Sequence, residues 1–124
     1  MAPPTINSSK DLVAHYQKYV SIIGDAATTA ADLAPYFADE IQVDDKTITV
    51  AEFRAIVPPG TEVRADRFVA DIQERTLAVR VKIHVPSMNL KMTEHVFYEL
   101  NEEWRIFKVV RLYALEGNEV PVGN

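Results

Sequence analysis

The 124-residue chain contains no cysteine, which removes a disulfide scaffold, a thiolate zinc site and a cysteine nucleophile together. No apolar run approaches the roughly 20 residues that a membrane helix needs, so no membrane partner is expected. The stretch from Met1 to Ser9 has neither the basic start nor the apolar centre of a secretory signal, which predicts a cytoplasmic protein. Thirteen lysines and arginines are scattered among eighteen acids, for a net charge of −5. Without a basic run or a helical basic stripe, nucleic acid is not an expected partner. Also missing are a glycine-rich phosphate loop, a Gly-x-Ser-x-Gly elbow and any histidine or carboxylate spacing that holds a metal. Nucleotide, serine-hydrolase and metal chemistry are therefore not expected, and no cofactor is required.

What remains is ordinary globular material: 48% hydrophobic and 25% charged residues, in a length near the modal size of one domain. The sequence predicts a single domain over residues 1–124, with loose arms at 1–9 and 116–124. Ser8-x-x-Asp11 opens a helical pattern in which Leu12, Tyr16, Tyr19, Val20 and Ile23 recur at three-to-four-residue spacing up to Gly24. Thr29-x-x-Asp32 and Thr49-x-x-Glu52 start two shorter helices, the last stopped by Pro58-Pro59-Gly60. A brief strand from Ile41 to Asp45 lies between those two. After Gly60 the hydrophobic period changes from 3.6 to 2, and strands are expected near Val63–Ile72, Leu77–Val85, Leu90–Leu100 and Trp104–Ala114. Their short connections predict an antiparallel meander, with helices packed on one face of it.

Alternation decides which polar groups turn inward. Between Leu90 and Leu100 one face carries Met92, Glu94, Val96 and Tyr98, and the other carries Lys91, Thr93, His95, Phe97 and Glu99. An ionised Glu94 among apolar neighbours costs several kcal/mol unless it is paired. Its pKa therefore rises, or it faces a wet cavity, or it pairs with an arginine on an adjacent strand. Asp45 shares its parity with Ile41 and Val43, so it either joins Glu94 on the inner face or begins a turn. Tyr16 and Tyr19, on the apolar stripe of the first helix, are core aromatics or the hydroxyl members of an acid/base set. On the outer face His95, Phe97, Phe107 and Val109 are too apolar for free solvent, which predicts a homodimer through that face.

Two stretches resemble a known group. Tyr16-Gln17-Lys18-Tyr19-Val20, followed by Leu33-Ala34-Pro35-Tyr36-Phe37-Ala38-Asp39-Glu40, is the first. The second is Thr93-Glu94-His95-Val96-Phe97-Tyr98-Glu99-Leu100 leading into Trp104-Arg105-Ile106-Phe107-Lys108-Val109-Val110. Together they resemble the SnoaL-like group, small fungal members above all, of the superfamily that includes ketosteroid isomerase, scytalone dehydratase and nuclear transport factor 2. The resemblance implies a cone-shaped α+β barrel, with three N-terminal helices packed on a curved, mainly antiparallel sheet. It also implies a helix tyrosine at Tyr19, a proton-abstracting aspartate at Asp45 and a protonated, oxyanion-binding acid at Glu94. A hydrophobic small-molecule substrate is expected to touch Tyr16, Tyr36, Phe53, Met92, Val96, Tyr98 and Trp104. The implied activity is cofactor-independent isomerisation, cyclisation or dehydration of a polyketide- or terpenoid-like carbonyl compound. The alternative is a non-catalytic small-molecule-binding or accessory dimerisation protein of the same fold. Glu94 stands where the isomerase pattern has an aspartate, Asn101-Glu102-Glu103 replaces its Asp-Gly turn, and no acid closes the last strand.

Overall fold

Ser8 accepts a hydrogen bond from the Asp11 N–H and starts α1, Ser9–Ile23, in a computed structural model that describes residues 5–115. The arms expected at 1–9 and 116–124 thus lie outside the described residues, except for 5–9, which already include the helix cap and the first helical residue. Leu12, Tyr16, Tyr19 and Ile23 of α1 are buried, at roughly 1.5–3 kcal/mol of favourable burial each, and the helix lies along β3, Glu62–Asp71. The helix ends at Gly24, where a Cβ would collide with the Thr61 carbonyl oxygen. Only glycine lets the chain pass that close to the start of β3.

Two capping boxes form as the sequence predicts. Thr29 and Asp32 cap α2, Ala30–Leu33, and Thr49 and Glu52 cap α3, Val50–Ala55. Between them the chain makes more strand than expected: β1, Phe37–Val43, turns through Asp44-Asp45 into β2, Lys46–Thr49, with Val43 opposite Lys46. After β3 come β4, Thr76–Val85, a 3-10 turn at Pro86–Met88, β5, Leu90–Leu100, and β6, Ile106–Leu115.

The six strands form one curved, unclosed sheet in the order β2-β1-β6-β5-β4-β3. The expected meander is present as β3 to β6, all antiparallel, while β1 joins β6 in parallel. Register shifts between Ala65 and Arg67 and between Glu99 and Leu100 mark irregularities that bend a sheet. The second overturns one expectation. Leu100 pairs with Ile106 and Glu99 with Lys108, so Phe107 is the extra residue and the alternation restarts after it. Val109 is therefore only 2% exposed and joins the inner face, not the outer face with Phe107. Arg111 follows it inward. Among the described residues no helix is long and apolar enough to cross a membrane.

Candidate functional site

A cavity of about 320 Å³ opens where α1 and α3 meet the inner faces of β3 to β6, a volume at the lower end of the roughly 300–1,000 Å³ typical of small-molecule sites. Its walls are apolar, with Ile23, Phe53, Val63, Val81, Met92 and Val109 among them, and exposed Ile56 and Met88 stand at its rim. Five polar groups break that apolar lining: Thr61, whose hydroxyl donates to the Pro58 carbonyl, and Tyr19, Glu94, Tyr98 and Arg111. A hollow of similar size, about 330 Å³, sits among Glu62, Arg64, Lys82, His84 and Lys91. Those side chains project to solvent and Glu62 already pairs with His84, so nothing there encloses an apolar ligand.

Glu94 sits mid-strand on β5, opposite Val81 of β4 and Tyr113 of β6. Its carboxyl has no hydrogen-bond or ion-pair partner among the described residues. Burial pushes its pKa up, the Arg111 guanidinium pulls it down, and the Asp44 carboxylate adds to the upward displacement. Arg111 is clamped by Asp44, whose carboxylate accepts from the Arg111 backbone N–H at 3.0 Å, from Nε at 3.2 Å and from Nη2 at 3.0 Å. The Asp44 N–H in turn donates to the Val109 carbonyl at 2.9 Å. These bonds, the backbone N–H of Arg111 first among them, hold the Asp44 carboxyl below its ordinary value. One face of the guanidinium fork is thus committed to Asp44, while Nη1 carries no bond among the described residues.

The tyrosines divide into two sets. Tyr19 and Tyr98 both line the cavity, and burial holds both phenols well above their ordinary pKa, so both stay neutral. Tyr16 is 1% exposed, and its hydroxyl donates to the carbonyls of Trp104 at 2.5 Å and Tyr36 at 3.1 Å. It stacks against Tyr98 with centroids 6.5 Å apart, at the packed end of the core.

Of the expected catalytic residues, Tyr19 and Glu94 line the cavity and Asp45 does not. β1 ends at Val43 and Asp44 adopts a left-handed backbone with φ 53°, so the alternation that aligned Asp45 with Ile41 and Val43 stops before reaching it. Asp45 is exposed in the turn. Of the expected substrate contacts, Phe53, Met92 and Tyr98 line the cavity, whereas Tyr16, Tyr36, Val96 and Trp104 do not. Val96 is sealed in the core, and Trp104 lies under the Arg75 guanidinium at 4.1 Å. The residues missed are Arg111 and Asp44. Their signal was available in the apolar pair Ile106 and Val109, three apart in a strand, which betrays a bulge and turns Arg111 inward.

No family model matches the sequence, and no curated protein sequence does. Solved structures do match. A ketosteroid isomerase-like protein from Kribbella flavida DSM 17836 aligns over 93% of this chain and 85% of its own, at TM-score 0.70 and 20% identity. A protein of unknown function with a cystatin-like fold from Methylobium petroleophilum aligns over 96% and 86%, at TM-score 0.72 and 14% identity. SalBIII, an epoxide hydrolase/cyclase-like enzyme of pyran ring formation in the polyether salinomycin, aligns over 86% and 90%, at TM-score 0.61 and 13% identity. At these identities the likeness is one of architecture, and on it the chain has the NTF2-like, cystatin-like α+β fold.

Proposed function

We propose that the protein is a cofactor-independent enzyme that moves a proton on a hydrophobic, carbonyl-bearing small molecule, of polyketide or terpenoid type, held in the 320 Å³ cavity. One observation carries this reading: a carboxyl without a partner among the described residues, lifted in pKa by burial, opens into an apolar cavity beside a fixed guanidinium. Glu94 takes the role that the resemblance implied for Asp45. Its carboxylate removes a proton beside the carbonyl, the electron pair moves onto the carbonyl oxygen, and Arg111 with the Tyr98 hydroxyl stabilises the enolate. The protonated Glu94 then returns the proton at another carbon, which is isomerisation, or to a departing hydroxyl, which is dehydration. Each step needs only groups that the cavity holds. The presence of a ketosteroid isomerase-like protein and a cyclase-like enzyme among the structural neighbours supports it.

The test is exchange of α-hydrogens for deuterium in a panel of cyclic ketones, followed by NMR in D2O. The protein accelerates exchange, Glu94→Gln loses about 100-fold or more of that rate with binding retained, and Asp45→Asn changes nothing. Equal exchange by wild type and Glu94→Gln overturns the mechanism. A second reading, a carrier that binds without reacting, is favoured by Glu94 being the one acid among the described residues that line the cavity. Tight binding of the same ketones with no exchange selects it.

A further inference from the structure

At the end of the sheet where β3 begins, β4 ends and β5 begins, Val85, Met88 and Leu90 form a lip of the cavity. Alternation puts Val63, Ile83 and Met92 of these strand ends into the cavity and Arg64, Lys82, His84 and Lys91 on the reverse face. Those four stand in two register rows. Glu62 pairs with His84 and His84 with Lys91 in one, and Arg64 pairs with Lys82 and Lys82 with Thr93 in the other. They surround the hollow of about 330 Å³, which meets the cavity at Val63 and Ile83, residues that line both.

The charge of this hollow runs against that of the chain. A protein of net charge −5 gathers two lysines, an arginine and a histidine here against one lining acid, Glu62. Arg64 stands directly opposite Lys82, a like-charge cross-strand pair that destabilises a sheet unless an anion screens it. Pairing within the protein does not supply that anion. Lys82 Nζ donates to the uncharged Thr93 hydroxyl at 2.9 Å, and Arg64 and Lys91 have no hydrogen-bond or ion-pair partner among the described residues. Asp66, whose carboxyl feels Lys82, is committed to Arg80 at 2.8 Å. Glu62 holds His84 at 2.9 Å with its own side chain 68% exposed.

We propose that the hollow binds a phosphate group, and that the ligand of the cavity is a phosphate ester whose apolar part enters past Met88 while its phosphate crosses the lip to Arg64, Lys82 and Lys91. The proposal rests on the cavity holding an apolar ligand, as in the proposed function, and not on proton transfer at Glu94. Lys91 directly follows Leu90, so one residue of strand, about 3.4 Å, separates the apolar wall from the first cation. An arginine fork takes two phosphate oxygens at once, and lysines add point charge. A doubly charged phosphate therefore answers three cations better than a carboxylate does.

Isothermal titration of the full chain at low salt with decyl phosphate, decanoate and decanol tests it. Decyl phosphate binds wild type at least about 10-fold more tightly than decanol, and more tightly than decanoate. The Arg64→Ala/Lys91→Ala variant loses that advantage while its decanol affinity holds, and Glu62→Gln, which removes the acid of the hollow, enlarges it. An advantage that survives Arg64→Ala/Lys91→Ala comes from Arg111 inside the cavity and overturns the site. Decanoate binding as tightly as decyl phosphate overturns the phosphate assignment. Pelleting with vesicles of phosphatidic acid, without binding of monomeric decyl phosphate, assigns the cations to a membrane surface and overturns the ligand. Decanol binding with no preference for phosphate removes the hollow alone, whereas failure of all three probes to bind removes the apolar cavity reading with it.

Discussion

Replacing Tyr16 by Phe removes one hydroxyl from the packed end of the core and leaves every ring carbon in place. That hydroxyl donates to two carbonyls, Trp104 at 2.5 Å and Tyr36 at 3.1 Å. The Tyr36 carbonyl keeps another donor, the Ile106 N–H at 2.8 Å, whereas the Trp104 carbonyl has no other among the described residues. Trp104 is held in a left-handed backbone with φ 62° and its ring lies under Arg75, so its carbonyl has little freedom to seek water. Leaving a buried acceptor unpaired costs about 1–3 kcal/mol. For 124 residues the unfolding entropy is about 0.26 kcal/mol/K, which converts that loss into a fall in Tm of about 4–12 °C. Differential scanning calorimetry reads it directly. Tyr36→Phe is the control, because its hydroxyl has no partner among the described residues and its removal should cost under about 0.5 kcal/mol. A Tyr16→Phe protein that melts within about 2 °C of wild type but binds ketones poorly would refute the structural role and return Tyr16 to the cavity wall.

Glu94→Gln alters the pH dependence of stability. Burial, chiefly, raises the Glu94 pKa above its ordinary 4.5, so the native state keeps a proton that the unfolded chain releases, and wild-type stability declines as pH rises from the unfolded to the folded pKa. Relative to wild type, the Gln variant therefore gains stability between pH 4 and pH 8 in urea melts, and a constant difference across that window would contradict a buried carboxyl. Gly24→Ala drives a Cβ into the Thr61 carbonyl and should lower stability by about 1–3 kcal/mol; an unchanged urea midpoint would show that the helix end does not approach β3 so closely. Asp44→Asn keeps a residue that tolerates the left-handed turn but removes the negative charge that helps raise the Glu94 pKa. The Glu94 carboxyl carbon should then titrate at lower pH by 13C NMR, and an unshifted curve would deny the coupling between the two acids.

The parts legible in the sequence are those where a single local rule acts. Leu77 to Val85 alternate without interruption, and β4 forms there with Leu77, Val79, Val81 and Val85 buried. Thr29 with Asp32 and Thr49 with Glu52 satisfy helix ends within four residues of chain, so the caps form whatever surrounds them. Glu94 was found because β5 runs from Leu90 to Leu100 with no bulge between Glu94 and Tyr98. The hairpin of β1 and β2 was missed because its turn, Asp44-Asp45, lacks the glycine that marks such turns, and because β2 has only Ile48 to show as an apolar residue. Parity failed in β6 because one extra residue at Phe107 reverses every face assignment beyond it, and the odd spacing of Ile106 and Val109 is the one sign of it in the sequence.

That same bulge sets which polar side chains reach the cavity. With the alternation restarted, Val109 and Arg111 point inward, and Arg111 comes to face Glu94 from the neighbouring strand. A guanidinium so placed would form a tight ion pair with Glu94 and silence it, were its Nε and Nη2 not already bonded to Asp44. The turn that puts Asp44 there carries a left-handed, non-glycine residue, a conformation that costs about 1–2 kcal/mol for most side chains. Three hydrogen bonds from Arg111 and one to Val109 offset that cost. The acid of this turn that serves the cavity is therefore Asp44, through the arginine it restrains, while its neighbour Asp45 points to water. Restraining Arg111 leaves Glu94 without an ion-pair partner among the described residues and with a raised pKa, the two properties that a proton-transferring carboxyl needs.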